Sequence, residues 1–318
     1  DVQAGIGNLW AQMRDQFDQN IFNVQLQDTI TLDKKRTWQL TPAIRYNRSE
    51  IIGYSRLGRF DPAKTYRWIH PEDSQVDSKV TWQLALKKEF TPNFSMRMTG
   101  GTYFRLLNMY EIAGDGAGIL PAPMDYKGSG AKFPQPEYGK QFDLSAIWNG
   151  KALGGDNRTT LTYFWRDTQR MLYLYRAGLN YSSYFNDMRG KAHGVELQTN
   201  FHWKKFDLDI EGTYLRISAQ RRNSSPGVHY DWSEVHPTYQ PEWEGNIRLT
   251  YRPTEKWLFF GEAHHVSKYY THYAIPQVSD PRERELAGRP REALTVVNLG
   301  LKWSPKKDMT LTLGCNDV

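Results

Sequence analysis

Eight histidines, one cysteine and two glycine runs are the residues of this chain most suited to catalysis or metal binding. His264 and His265 are adjacent. On a strand such neighbours point to opposite faces, so the two cannot hold one ion together. His264 shares a face with Glu262, which suits a wet surface. His70, His229, His236 and His272 fall in or near long connections and retain the chemistry to ligate an ion. Cys315 stands alone, which excludes an intrachain disulfide and any multi-cysteine metal site. On its alternating run it reads as a small apolar residue, either buried or lipid-facing. Gly100-Gly101 and Gly114-x-Gly116-x-Gly118 lack the strand-to-helix context of a phosphate loop. No Gly-x-Ser-x-Gly is present. No catalytic residue, metal site or cofactor is expected from these residues.

The elements that position them follow period two. Trp38, Leu40, Ile44 and Tyr46 share one parity, with Gln39, Thr41 and Arg45 on the other. The pattern returns at Val80-x-Trp82-x-Leu84-x-Leu86, Phe142-x-Leu144-x-Ala146-x-Trp148 and Leu161-x-Tyr163-x-Trp165. Val195 to Trp203, Ile247 to Tyr251, Val297 to Trp303 and Met309 to Cys315 repeat it. Alternation of this kind marks strands with one apolar and one polar face. Runs of about eight to ten residues match a tilted membrane-spanning strand and exceed the ~5–6 residues common in soluble sheets. About twelve such strands can be counted, from Phe22-x-Val24-x-Leu26 onward. The chain has 318 residues and a mean hydropathy of −0.70, and no stretch approaches the ~20 apolar residues of a spanning helix.

Connections alternate in length. Short ones fall near residues 34–37, 91–93, 154–157, 204–205, 254–256 and 304–308. Long ones fall near 50–77, 109–140, 180–191, 222–242 and 276–292. Short turns on one side and long loops on the other is the pattern of an outer-membrane barrel. Trp38, Phe90, Phe94, Trp148, Trp203, Phe206, Trp257 and Trp303 all sit beside the short turns, where they form a girdle at one membrane interface. The net charge is +6. Lys34-Lys35-Arg36, Lys204-Lys205 and Lys306-Lys307 each separate two alternating runs, so they read as turns. No nucleic-acid reader motif accompanies them. A soluble β-sandwich or propeller is the competing architecture, but a propeller blade needs four strands per repeat where this chain has two.

Four segments resemble those of TonB-dependent outer-membrane receptors. Thr102 to Glu111 is similar to the family's "FRAP…E" segment, with Leu106-Leu107 replacing Ala-Pro. Phe133 to Gly139 resembles "NP.LKPE". Asn186 through Gly194-Val195-Glu196-Leu197 resembles the "N…GVE" strand start. Leu311 to Val318 resembles "LTLGVNNLF". The resemblance covers essentially the whole chain, 1–318, and implies an all-β, antiparallel transmembrane barrel of which about 12 of 22 strands are present. On that reading both ends look cut from a longer chain. The missing parts would be the plug with its TonB-contacting box, the first nine strands and the closing strand. No signal peptide is visible at the start of this sequence.

The resemblance implies uptake of a scarce ligand across the outer membrane of a Gram-negative bacterium, with a ferric siderophore first among the classes. Its partners would be outer-membrane lipids, TonB acting through the plug, and that small ligand, with no nucleic acid. Siderophore complexes are commonly anionic, so arginines and aromatic rings at the mouth would suit them through charge-assisted hydrogen bonds and stacking. The candidates are Tyr66, Arg67, Trp68, Arg105, Tyr110, Tyr173, Tyr175, Arg176 and Trp232. The plainer role for each is in an outer girdle or in loop packing. Haem receptors of the family carry a histidine between the first two segments, and none lies between Arg105 and Pro136. The alternatives are a passive porin-like channel and a small 12-stranded barrel enzyme with a Ser–His pair on its wall.

Overall fold

The computed structural model describes the chain except residues 1, 7–8, 60–65, 68–73, 114–118, 121–133, 177–181, 223–231, 236 and 272–288. Twelve long strands dominate. They are β1 Leu9–Gln27, β2 Trp38–Arg59, β3 Ser74–Thr91, β4 Phe94–Arg105, β5 Glu137–Ala152 and β6 Gly155–Arg176. After them come β7 Ser182–His202, β8 Phe206–Arg222, β9 Trp243–Thr254, β10 Trp257–Val266, β11 Leu294–Lys306 and β12 Met309–Cys315. Each pairs antiparallel with the next, so the sheet is one continuous meander. A short strand, Val2–Ile6, pairs with the loop-side part of β1. No pairing joins β12 to β1 among the described residues, and the sheet is an open arc.

Polarity across the sheet is inverted relative to a water-soluble protein. The buried strand residues include Asn47, Ser49, Thr81, Thr99 and Thr250. The exposed ones include Val24, Leu26, Val80, Trp82, Leu84, Leu161, Leu249 and Leu313, with Leu26 70% exposed. Water would penalise such a surface by about 25 cal/mol per Å² of apolar area, whereas hydrocarbon does not. The exposed face is therefore the lipid face and the other lines a lumen. Cys315 sits opposite Leu299 on the exposed face of β12, in agreement with the lipid-facing reading.

The expected strand pairs and short turns are present. The loop boundaries differ. A long connection was expected over residues 180–191, but β6 runs to Arg176 and β7 begins at Ser182. Likewise β2 continues past Glu50 to Arg59. These strands reach 22 residues, about twice what the hydrocarbon requires. Above the lipid both faces meet polar surroundings, so the alternation that reveals a strand disappears while its ladder continues.

The turn side is laced from hairpin to hairpin. Thr37 O accepts from Glu89 N at 2.8 Å, and Asn93 O accepts from Asn149 N at 2.8 Å. Leu153 O accepts from the Trp203 indole Nε1 at 3.0 Å. Lys205 O accepts from Arg252 N at 2.7 Å, and Lys256 O from Ser304 N at 2.8 Å. Five of the six turns thus hand a carbonyl to the following hairpin. In the first turn, the Trp38 N–H and the Thr37 hydroxyl bind the Asp33 carboxylate at 2.8 Å each. The Trp38 bond leads in holding that carboxyl below its usual range. Its stabilising effect is present above the unfolded-state value and is lost as pH falls through the lower folded one.

The girdle forms as the residue types require. Phe206, Tyr251, Phe259, Trp257 and Trp303 make a chain of ring contacts with centroids 4.5–6.3 Å apart. Phe90 and Phe94 pack at 5.7 Å, Phe201 stacks on Trp203 at 5.3 Å, and Lys88 lies 4.7 Å over Trp38.

Two backbone positions limit which residues fit. Leu153 and Gly154 have φ of 51° and 78°, the left-handed pair that a two-residue hairpin turn needs. A Cβ on Gly194 would lie 2.0 Å from Tyr214 O and 2.6 Å from the Phe164 ring. In the full-length protein, Leu153→Asn is expected to stabilise by about 1 kcal/mol, because Asn tolerates this region better. Gly194→Ala is expected to destabilise by about 1–3 kcal/mol through overpacking. The midpoint of heat-induced change in gel mobility measures both.

Candidate functional site

The loop side is organised around Arg105, the last residue of β4. Its Nε donates to Glu137 Oε2 at 2.8 Å, and its Nη1 to Glu111 Oε1 and Oε2 at 2.9 and 3.0 Å. Both carboxylates are largely buried, with side-chain exposures of 11% for Glu111 and 13% for Glu137. A buried carboxylate needs hydrogen bonds on each oxygen to remain charged. Glu111 obtains a further bond from Asn108 N at 3.0 Å, while Asn108 Oδ1 accepts from Glu111 N at 2.8 Å. This reciprocal pair is a capping box, and it starts the helix Met109–Ala113.

Glu137 is held from its other side by a β-bulge. The β6–β7 register shifts between Thr168 and Met171, and Arg170 adopts φ 53°. A bulge takes a backbone N–H out of the ladder. The N–H of Leu172 donates to Glu137 Oε1 at 2.6 Å. Asn186 grips the same place. Its Nδ2 donates to Gln135 O and Arg170 O, both at 2.8 Å, and its Oδ1 accepts from Gln135 N at 2.6 Å. From β3, Gln75 Nε2 donates to Pro134 O at 3.3 Å, and Lys79 lies 3.6 Å over the Tyr138 ring.

The segment after Arg105 turns inward across the arc. Leu107 and Ile112 are buried with Ile51 of β2, and Phe17 of β1 and Leu172 of β6 pack against them. Gln19 Nε2 reaches Leu107 O at 3.1 Å and Ser49 Oγ at 3.2 Å. Further along, Ile119–Leu120 pairs in parallel with Ser182–Ser183 of β7. One connection therefore touches β1 and β2 on one side and β6 and β7 on the other.

Eight of the nine sequence-expected ligand residues have a described backbone, and it lies on this side. Tyr66 and Arg67 form a short strand opposite Leu57 and Arg56 of β2. Tyr110 is in the capped helix. Tyr173, Tyr175 and Arg176 occupy the loop-side end of β6, opposite Phe185, Ser183 and Ser182. Trp232 pairs with Arg222 in the strand Trp232–Val235. Trp68 lies outside the described residues. Arg105 is the member whose side-chain partners are seen, and both are carboxylates. The sequence reading missed Glu111, Glu137 and Asn186 as a unit. The Asn108-x-x-Glu111 spacing was the one local signal available.

Of the histidines, His70, His229, His236 and His272 lie outside the described residues. His264 Nε2 lies 3.8 Å from Glu244 Oε1, while His265 Nδ1 meets Thr295 Oγ1 at 2.8 Å on the opposite face. On the lumen side near the turns, His202 and Arg252 both bind Asp207. No group of three metal-ligating side chains occurs among the described residues.

The family model for the TonB dependent receptor-like β-barrel matches residues 3–318. The chain belongs to the TonB-dependent receptor family. Solved structures agree on the fold. The siderophore receptor PiuA from Acinetobacter baumannii aligns with a TM-score of 0.67 at 16% identity. The ferric-catecholate import receptor Fiu from E. coli K12 aligns at 0.66 and 13%. The copper transporter OprC aligns at 0.68 and 14%. The alignments cover 97%, 98% and 94% of this chain but 39%, 41% and 42% of those structures. This receptor chain thus spans about two fifths of their length. No curated protein matches it in sequence. Arg105, Glu111 and Glu137, which lie in two of the resembling segments, are bonded to one another, and Asn186, from a third, clamps the neighbouring bulge at Arg170.

Arg105→Ala in the full-length receptor is expected to leave Glu111 and Glu137 unpaired and to loosen residues 106–112. Hydrogen exchange there should quicken about tenfold, the worth of one charge-assisted hydrogen bond. Exchange at the turns near residues 153–154 and 204–205 should not change. Arg105→Lys should give a smaller effect, because an ammonium does not reproduce the guanidinium fork.

Proposed function

We propose that this chain is part of the barrel of an outer-membrane receptor of a Gram-negative bacterium, and that the whole receptor imports a scarce ligand in a TonB-dependent manner. Family membership across residues 3–318 carries this reading. The ligand class we favour is a ferric siderophore. Two of the similar structures are a siderophore receptor and a ferric-catecholate import receptor. The arginines and aromatic residues gathered on the loop side also suit an anionic, ring-bearing complex. Arg67, Arg176, Tyr66, Trp68, Tyr110, Tyr173, Tyr175 and Trp232 are the proposed contacts. Arg105 acts by holding the floor of the mouth beneath them.

In this scheme the barrel breaks and forms no covalent bond. It supplies a wet, walled path and a binding mouth, while the plug, pulled by TonB, opens the path. Catalysis is therefore assigned to no residue, in keeping with a family of receptors and transporters.

Uptake of radiolabelled iron carried by a catecholate and by a hydroxamate siderophore tests the proposal. Cells lacking the full-length receptor should lose uptake of at least one complex. Restoring the gene should restore it only where TonB is present and the proton gradient intact. Uptake that persists without TonB would point instead to a passive channel. Arg176→Ala should weaken binding of the transported complex without changing the amount of receptor in the membrane.

A further inference from the structure

We propose that the turn-side rim is a binding collar for anionic phospholipid headgroups. Lys34, Lys35, Lys204, Lys205, Lys306 and Lys307 occupy three of the six turns, and all are exposed. None has an ion-pair or hydrogen-bond partner for its ammonium among the described residues. Most acids near these turns have partners of their own. Asp33 accepts from Trp38 N and Thr37 Oγ1, Asp28 accepts from Thr29 N, and Asp207 is bound by Arg252 and His202. Asp308 is the exception, with no partner among the described residues. The six lysines and Arg36 outnumber the nearby Asp28, Asp33, Asp207 and Asp308, so these turns carry a net positive charge.

The neighbouring rings fix the depth of these lysines. Trp203 and Phe206 flank Lys204-Lys205 directly, Trp303 lies just before Lys306-Lys307, and Trp38 lies just after Lys34-Lys35. Indole rings settle at the membrane–water interface. A strand advances about 3.3 Å per residue, so the ammonium groups lie within a few ångströms to about a dozen of that level. The headgroup layer is roughly 5–8 Å deep on each side. The lysines thus sit where phosphodiesters are, with flexible stems able to snorkel among them. A lipid surface fits better than a protein partner, because the cations are spread around the arc instead of forming one compact patch. This inference depends on the membrane placement of the barrel and not on the ligand it imports.

The test uses the full-length receptor in nanodiscs of phosphatidylcholine alone or of equal parts phosphatidylcholine and phosphatidylglycerol. Lipid retained on the protein is counted by native mass spectrometry. Wild type should retain phosphatidylglycerol severalfold above its bulk share, and high salt should reduce the excess. Replacing the six lysines by Gln should return retention to the bulk ratio, while replacing them by Arg should preserve the excess. Unfolding in pure phosphatidylcholine should match wild type, which excludes misfolding of the Gln variant. Equal enrichment in the Gln variant, or none in wild type, would overturn the proposal. Displacement of the lipid by millimolar inorganic phosphate would also overturn it, because the site would then take a free anion. Iron uptake enters none of these readouts, so failure here leaves the transport proposal standing and the reverse also holds.

Discussion

A peptide group in hydrocarbon has no water to bond, and every other feature of this chain follows from that. Each N–H and C=O in the spanning zone must find the neighbouring strand. The meander meets the demand by pairing every strand with the next. At the turns, where the ladder ends, the carbonyls of Thr37, Asn93, Leu153, Lys205 and Lys256 take their bonds from the following hairpin. The demand also explains why an arc is incomplete as a membrane object. Beyond the Val2–Ile6 pairing, the outer edges of β1 and β12 have no strand partner among the described residues, and the solved barrels it resembles are more than twice its aligned length.

The same constraint divides the labour between the two ends. The turn side is short, laced and ringed by stacked aromatics, so it is poorly placed to change shape. The loop side lies above the lipid, where backbone groups can bond to water or to side chains. There the structure uses buried carboxylates, a bulge and an amide clamp to hold its shape. Arg105, Glu111, Glu137, Leu172 N and Asn186 form one network across β4, β5, β6 and β7. Removing one member strands the others, which is why such networks set geometry more than they add stability.

Much of this was legible in the residues. Period two at Val80 to Leu86 or Val297 to Trp303 identified strands because lipid and lumen sort side chains by parity. Trp203 and Trp303 marked the turn side because indole prefers the interface. The alternation is silent above the membrane, so residues 52–59 of β2 and 182–191 of β7 read as loop although the ladder continues through them. The network at Arg105 was hidden for another reason. Its members are separated by as many as 81 positions, from Arg105 to Asn186, and only the curl of the sheet brings them together. The polar trio Asn157, Thr159 and Thr199 was also unforeseeable. It lies on the outward parity yet satisfies itself through mutual bonds of 2.6–3.1 Å beside Phe201 and Trp203.

A barrel of this kind has its long loops and its short turns on opposite sides of an outer membrane. Single cysteines in the full-length receptor, with Cys315 changed to Ser, test it most directly. Gln240→Cys reports the loop side and Lys205→Cys the turn side, each probed on intact cells with a maleimide too large to cross the outer membrane. Labelling is expected at position 240 in intact cells and at 205 only after the membrane is permeabilised. Labelling of position 205 in intact cells, or equal labelling of both, would contradict it.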